Sequence, residues 1–241
     1  MFKKLFLFAA VFSISLNASD LDRIIAPEIK NDRFYSAIYE LAKTETIHTI
    51  LEIGSSSGEG STDAFVKGIR ENPHQPMLFC MELSLPRFLA LKNHYKNDPF
   101  VVCYNVSSVP IDSFPSEEEV LHFMRTVNTS LRGFREDEVI HWLRQDIAYV
   151  KFANVPQEGI SLIKSEQQIE YFDVVLIDGS EFTGQAELEL VYGAKFILLD
   201  DIRAFKNYNN FQKLFRDPFY ELIEVNQHLR NGYAVFKKKQ T

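Results

Sequence analysis

Thr49-Ile50-Leu51-Glu52-Ile53-Gly54-Ser55-Ser56-Ser57-Gly58-Glu59-Gly60 decides how the rest of the chain is read. An apolar run that stops at glycine reads as a buried strand ending in a tight turn. Glycine has no Cβ and tolerates positive φ, so backbone there can approach a ligand closely. The helix expected to follow turns its free N–H groups toward whatever the turn holds. A dinucleotide fingerprint would space its glycines GxGxxG; here the spacing is GxxxGxG, with Glu52 before the first glycine. That difference favours a nucleoside carrying an amino-acid tail over a pyrophosphate.

Outward from the loop, short apolar runs alternate with helical stretches, the pattern of βαβ units in a mostly parallel sheet. Strands are expected at 48–53, 76–83, 100–105, 172–178, 195–200, 220–225 and 232–237. The last two flank Leu229-Arg230-Asn231-Gly232, and Asn-Gly between apolar runs signals a hairpin, so an antiparallel pair should end the sheet. The fold class read from this is α/β: a Rossmann-like, doubly wound, mostly parallel seven-stranded sheet with a C-terminal hairpin. Between Ser107 and Glu170 the chain is longer than one strand–helix–strand step needs. Ser116-Glu117-Glu118-Glu119 reads as a capping box opening a helix through about Val127. Val139, Trp142, Leu143, Ile147 and Val150 are at helical spacing within 135–152. This is helical insertion material at the open end of the sheet, placed either to cover a substrate or simply to pack on the sheet.

Composition narrows the partners. The 241 residues suit one sizeable α/β domain. The 26 basic and 33 acidic residues, net −7, form no basic stripe, which argues against nucleic acid. Cys80 and Cys103 have no CxxC spacing and read as core thiols rather than a zinc site or disulfide scaffold. The six histidines are scattered without ligand spacing. Met1-Phe2-Lys3-Lys4, the apolar run 5–16 and then Asn17-Ala18 read as a secretory signal over 1–18, too short to span a membrane comfortably. The expected organisation is that leader followed by one domain over 19–241. The protein would then be exported, with no stable transmembrane segment after processing; left uncleaved, the run would instead make it membrane-anchored or cytoplasmic.

Three more features carry chemistry. The second strand ends in Glu82, at the distance past the loop where an acidic residue binds ribose hydroxyls in this fold class. After the third strand, Asn105 and Ser107 stand where an adenine contact would come from. Val174-Val175-Leu176-Ile177-Asp178 and Ile197-Leu198-Leu199-Asp200-Asp201 each end in carboxylate at one sheet edge. Three carboxylates converging without basic partners would repel unless a hard cation such as Mg²⁺ sat between them.

Together these residues resemble the class I S-adenosylmethionine-dependent methyltransferases, over nearly all of 32–237. The resemblance implies that Gly54, Ser55 and Gly58 wrap the methionine part of the cofactor, that Glu82 holds its ribose, and that Glu52 stands near it. The carboxylates are similar to those of metal-dependent O-methyltransferases acting on catechols and sugar groups. By that likeness Asp178, Asp200 and Asp201 would bind Mg²⁺, with Asp178 the catalytic candidate. The implied reaction is methyl transfer to a hydroxyl of a small, sugar-like acceptor. Those enzymes often carry a base lysine shortly after the strand-four Asp, but residues 178–187 contain neither lysine nor histidine. The alternative is an exported binding protein on the same fold that does not transfer methyl groups.

Overall fold

Why the chain folds as it does is plainest in its central strands, which are buried on both faces and therefore read as unbroken apolar runs. The computed structural model describes residues 21–240; the leader expected at 1–18 lies outside them. In chain order the elements are α1 (Arg33–Thr44), β1 (Thr49–Ile53), α2 (Ser61–Glu71), β2 (Met77–Glu82), α3 (Leu85–His94) and β3 (Val101–Asn105). The insertion follows as α4 (Glu117–Thr126), α5 (Glu136–Ala153) and α6 (Gly159–Gln167). Then come β4 (Val174–Ile177), α7 (Gly184–Val191), β5 (Phe196–Asp200), α8 (Phe205–Arg216), β6 (Tyr220–Asn226) and β7 (Tyr233–Lys238).

The seven strands lie in the order β3-β2-β1-β4-β5-β7-β6. The β1, β2, β3, β4 and β5 pairings are parallel, and β7 is antiparallel to both β5 and β6. The sheet expected from the sequence is thus the sheet observed. Alternate residues of each strand feed two cores. Ile50, Leu78, Val174, Leu176 and Leu198 pack under α1, α2 and α3. Leu51, Phe79, Val175, Ile177 and Leu199 pack under α6, α7 and α8. The strand order changes direction across the sheet between β1 and β4, which stay parallel. That switch point is where open α/β sheets bind ligands, beyond the strands' carboxyl ends.

Two local expectations are sharpened. The Ser116–Glu119 capping box is present, and α4 ends one residue before Val127. The terminal hairpin is not closed by a two-residue Asn-Gly turn: Asn226 pairs with Tyr233, leaving a six-residue loop, 227–232. The Asn226 side chain accepts from the His228 and Leu229 amides at 2.9 and 3.0 Å, starting the turn early. Arg230 and Gly232 both take positive φ to complete it. Cys80 and Cys103 face each other across β2 and β3 and are free thiols. No helix among the described residues is long and apolar enough to cross a membrane.

Candidate functional site

A cleft of about 380 Å³ opens over the carboxyl ends of β1, β2, β4 and β5. Its floor is the glycine loop. Gly54 and Ser55 both donate their amides to the Met81 carbonyl, at 3.1 and 3.0 Å, which ties the loop to the end of β2. Asp178 donates its amide to the Ile53 carbonyl at 3.1 Å, so the loops after β1 and β4 touch at the switch point. Gly54 has φ +90°, and a Cβ there would lie 2.0 Å from the Asp178 carbonyl oxygen. Only glycine fits. Helix α2 begins at Ser61 with no side-chain cap at Gly60, and both residues line the cleft. Its first N–H groups take no side-chain cap from Gly60, and such groups favour an anion beside them.

The sequence-derived residues divide into two groups. Gly54, Ser55, Glu82, Ser107, Asp178 and Asp201 line the cleft. Glu52, Gly58, Asn105 and Asp200 stand outside its lining. Glu52 is fully buried beneath the loop, where its Oε2 accepts from Ser55 Oγ and Thr62 Oγ1, each at 2.7 Å. It fastens the loop to α2, and burial raises its pKa. Asn105 Nδ2 donates to the Glu82 and Leu83 carbonyls, both at 2.9 Å, and so steadies the end of β2 from behind. Gly58 packs against Leu91 and Tyr95. Glu82 accepts from the Ser56 amide at 2.8 Å and the Ser84 amide at 2.7 Å. Each of its oxygens keeps further acceptor capacity for a diol.

The three carboxylates do converge: one oxygen each from Asp178, Asp200 and Asp201 lies within 4.8 Å of the others. The expectation that they lack basic partners is overturned. Lys206, in the first turn of α8, places its Nζ 2.8 Å from Asp178 Oδ1 and 2.8 Å from Asp201 Oδ2. Asp200 Oδ1 accepts from Arg230 at 3.0 Å, and the same guanidinium also pairs with Asp32. Burial opposes the charge on Lys206, but Asp178, Asp201 and Asp200 outweigh it and hold its pKa well above the ordinary value. Burial and the neighbouring carboxylates raise Asp178, whereas Lys206 overcomes burial to lower Asp201. Asp201 also sits in the left-handed region, φ 56°, a conformation that Asp tolerates better than most residues.

Further residues were not marked out by sequence pattern. The strap 21–29 lines one side of the cleft through Leu21 and residues 25–29. Its Asp22 accepts from Ser84 Oγ at 2.9 Å and pairs with the Tyr149 hydroxyl. From the insertion come Phe114, Asp146, Tyr149 and Val150. The insertion therefore walls the cleft as well as forming a small core of its own around Phe123 and Leu143. Asp146 accepts from Ser180 Oγ at 2.5 Å.

Glu181 Oε1 accepts from the Phe205 amide at 2.7 Å, capping α8 from a distance. Burial raises its pKa from 4.5 to about 7. The folded state then binds more protons than the unfolded one across that window. This contribution to stability is full below about 4.5 and is lost as pH rises to about 7. The loss should amount to roughly 3 kcal/mol at most, by 1.36 kcal/mol per unit. Glu181→Gln keeps the cap oxygen and removes the charge, so melting temperature between pH 5 and about 8 should flatten relative to wild type. An equally steep profile in the variant would place the titration elsewhere.

The parallel sheet with its reversed terminal strand, and a glycine-loop cleft at its switch point, make up the fold of the class I methyltransferases. No protein-family model and no curated protein matches the sequence. Solved structures match in shape. A methyltransferase from Geobacter sulfurreducens superposes with a TM-score of 0.52 at 10% identity, over 88% of this chain and 81% of that one. An O-methyltransferase from Bacillus cereus in complex with SAH gives 0.53 at 12% identity, over 90% of this chain and 84% of that one. At such identities the likeness is one of fold.

Proposed function

We propose that this protein is an S-adenosylmethionine-dependent methyltransferase acting on a hydroxyl of a small-molecule acceptor. The observation that carries the reading is the join between loop and cleft: Gly54 pressed on the Asp178 backbone beside an uncapped helix and a carboxylate at Glu82. An uncapped N-terminus suits the carboxylate of an amino-acid tail. The Glu82 oxygens suit a ribose diol, and Ser107, on the cleft lining after β3, is the residue proposed beside the base. The cofactor supplies the electrophilic methyl group. In the step proposed, an acceptor oxygen forms the new C–O bond as the S–C bond breaks, leaving S-adenosylhomocysteine. The hydroxyl proton goes to Asp178, and the Lys206 ammonium steadies the negative charge growing on the oxygen. An acceptor held between α5 and the loop after β4, which both line the cleft, would be positioned for the transfer.

The acceptor would be neutral or cationic and could carry several hydroxyls, as a sugar does. Glu28, Glu59, Glu82 and Asp146 line the cleft alongside the two aspartates, against Arg87 and Lys206. A phosphorylated or otherwise anionic acceptor would meet repulsion there. Export through the leader at 1–18 is part of the proposal, and mass spectrometry of the mature N-terminus tests it: an intact Met1 refutes cleavage after Ala18. The reading itself is tested by titrating the full chain with S-adenosylmethionine and S-adenosylhomocysteine in a calorimeter. Saturable heat with both is expected, and none at millimolar cofactor sinks the proposal. Methylated product from a panel of polyhydroxy acceptors then separates an enzyme from a binding protein of the same fold.

A further inference from the structure

A lysine in the first turn of a helix is at the wrong end of the helix dipole, whose N-terminus favours negative charge. Lys206 occupies that place on α8 and is only 7% exposed. Its position is built rather than adventitious. Asn207 Nδ2 donates to the Ile177 carbonyl at 3.0 Å and the Asp200 carbonyl at 2.6 Å, locking the start of α8 to the ends of β4 and β5. Gly184 lies so close to the Lys206 backbone that a Cβ there would meet the Lys206 carbonyl oxygen at 2.1 Å. The side chain then runs straight to two carboxylates, at 2.8 Å from each.

Those distances are charge-assisted hydrogen bonds. A divalent ion needs the same oxygens at about 2.0–2.6 Å and several of them at once, and it would meet the ammonium in the middle of its shell. Arg230 already engages the third carboxylate, Asp200. The residues present therefore do not fit the Mg²⁺ that the resemblance implies.

We propose that Lys206 is the built-in cation of this site, seated between Asp178 and Asp201 where a divalent ion would bridge them, so that the protein works without metal. Of its three N–H donors, two serve the aspartates. The third is without a partner among the described residues and is offered to the acceptor oxygen. That last role rests on the methyl-transfer reading; the exclusion of metal does not.

The test needs no cofactor. The wild-type chain should show the same melting temperature in EDTA and in millimolar Mg²⁺ or Mn²⁺. It should also leave the electron paramagnetic resonance signal of free Mn²⁺ unchanged. Lys206→Met removes the ammonium but leaves three acidic ligands together. It should melt several degrees lower in EDTA and recover with Mg²⁺ or Mn²⁺, by the mass action of a ligand that binds only the folded state. Monovalent salt at matched ionic strength should not restore it. Saturable Mn²⁺ binding by wild type, lost in Asp201→Asn, overturns the proposal; so does a folded Lys206→Met indifferent to divalent ions. If Lys206→Met does not fold, Lys206→Gln and the wild-type resonance measurement decide instead. Because S-adenosylmethionine appears in none of these measurements, failure here is distinct from failure of the methyl-transfer reading.

Discussion

Gly54→Ala should lower the unfolding free energy by about 3–5 kcal/mol, one of the largest losses a single methyl group can cause in this chain. Two effects combine. The residue has φ +90°, where an L side chain is strained, and the added carbon would lie 2.0 Å from the Asp178 carbonyl oxygen and 2.7 Å from its carbon. Both obstacles are backbone, so no rotamer change relieves them. The loops after β1 and β4 would have to separate, breaking the 3.1 Å bond from the Asp178 amide to the Ile53 carbonyl. Gly58→Ala is the informative comparison. It also sits at positive φ, +86°, but its added carbon would meet the side chains of Leu91 and Tyr95, at 2.7 Å each. Side chains can shift, so about 1–2 kcal/mol is expected there. Urea midpoints with unchanged slopes measure both. A Gly54→Ala variant within about 1 kcal/mol of wild type would show that the two loops are not packed as described.

The sheet was legible because its signal is local. A strand buried on both faces, such as Val174–Ile177, is a continuous apolar run, and each run shows itself without knowledge of the others. The glycine loop, Glu82 and the aspartates after β4 and β5 could be placed for the same reason: all follow directly from a strand end. What decides the character of the acidic cluster is not local. Lys206 pairs with Asp178 across 28 residues and Arg230 with Asp200 across 30. The cation that pairs with Asp178 does not follow it closely but stands five residues beyond Asp201. The first turn of α8 brings it there, because Asn207 pins that turn to the ends of β4 and β5. Likewise Glu52 could be placed at the end of β1, but alternation along the strand, not proximity to the loop, decides that it points beneath the floor. The strap 21–29 carries no periodic signal, so its place beside the cleft could not be read at all.

Glu82→Gln should weaken S-adenosylmethionine binding by roughly 100-fold, about 2.7 kcal/mol at 1.36 kcal/mol per tenfold. The carboxylate is only 7% exposed and serves the loop before any ligand arrives: one oxygen accepts from Ser56 and the other from Ser84. Ser56 stands at φ 48°, so that bond holds a strained part of the glycine loop in place. Glutamine keeps one oxygen and turns the other into a donor. One of the two amides would then face an N–H, losing a charged hydrogen bond and leaving a buried donor unsatisfied. A ribose diol arriving at the same group would meet one acceptor instead of two. Burial also raises the pKa of Glu82. Because, in the proposed pose, the ionised form would accept from the diol, wild-type affinity should decline on acidification at a higher pH than an ordinary glutamate would give, and Glu82→Gln should lose that dependence. Calorimetric titration of both proteins with S-adenosylhomocysteine across pH measures the two effects together. A folded Glu82→Gln that binds as wild type does, with the same pH profile, removes Glu82 from the ribose and leaves it a brace for the loop.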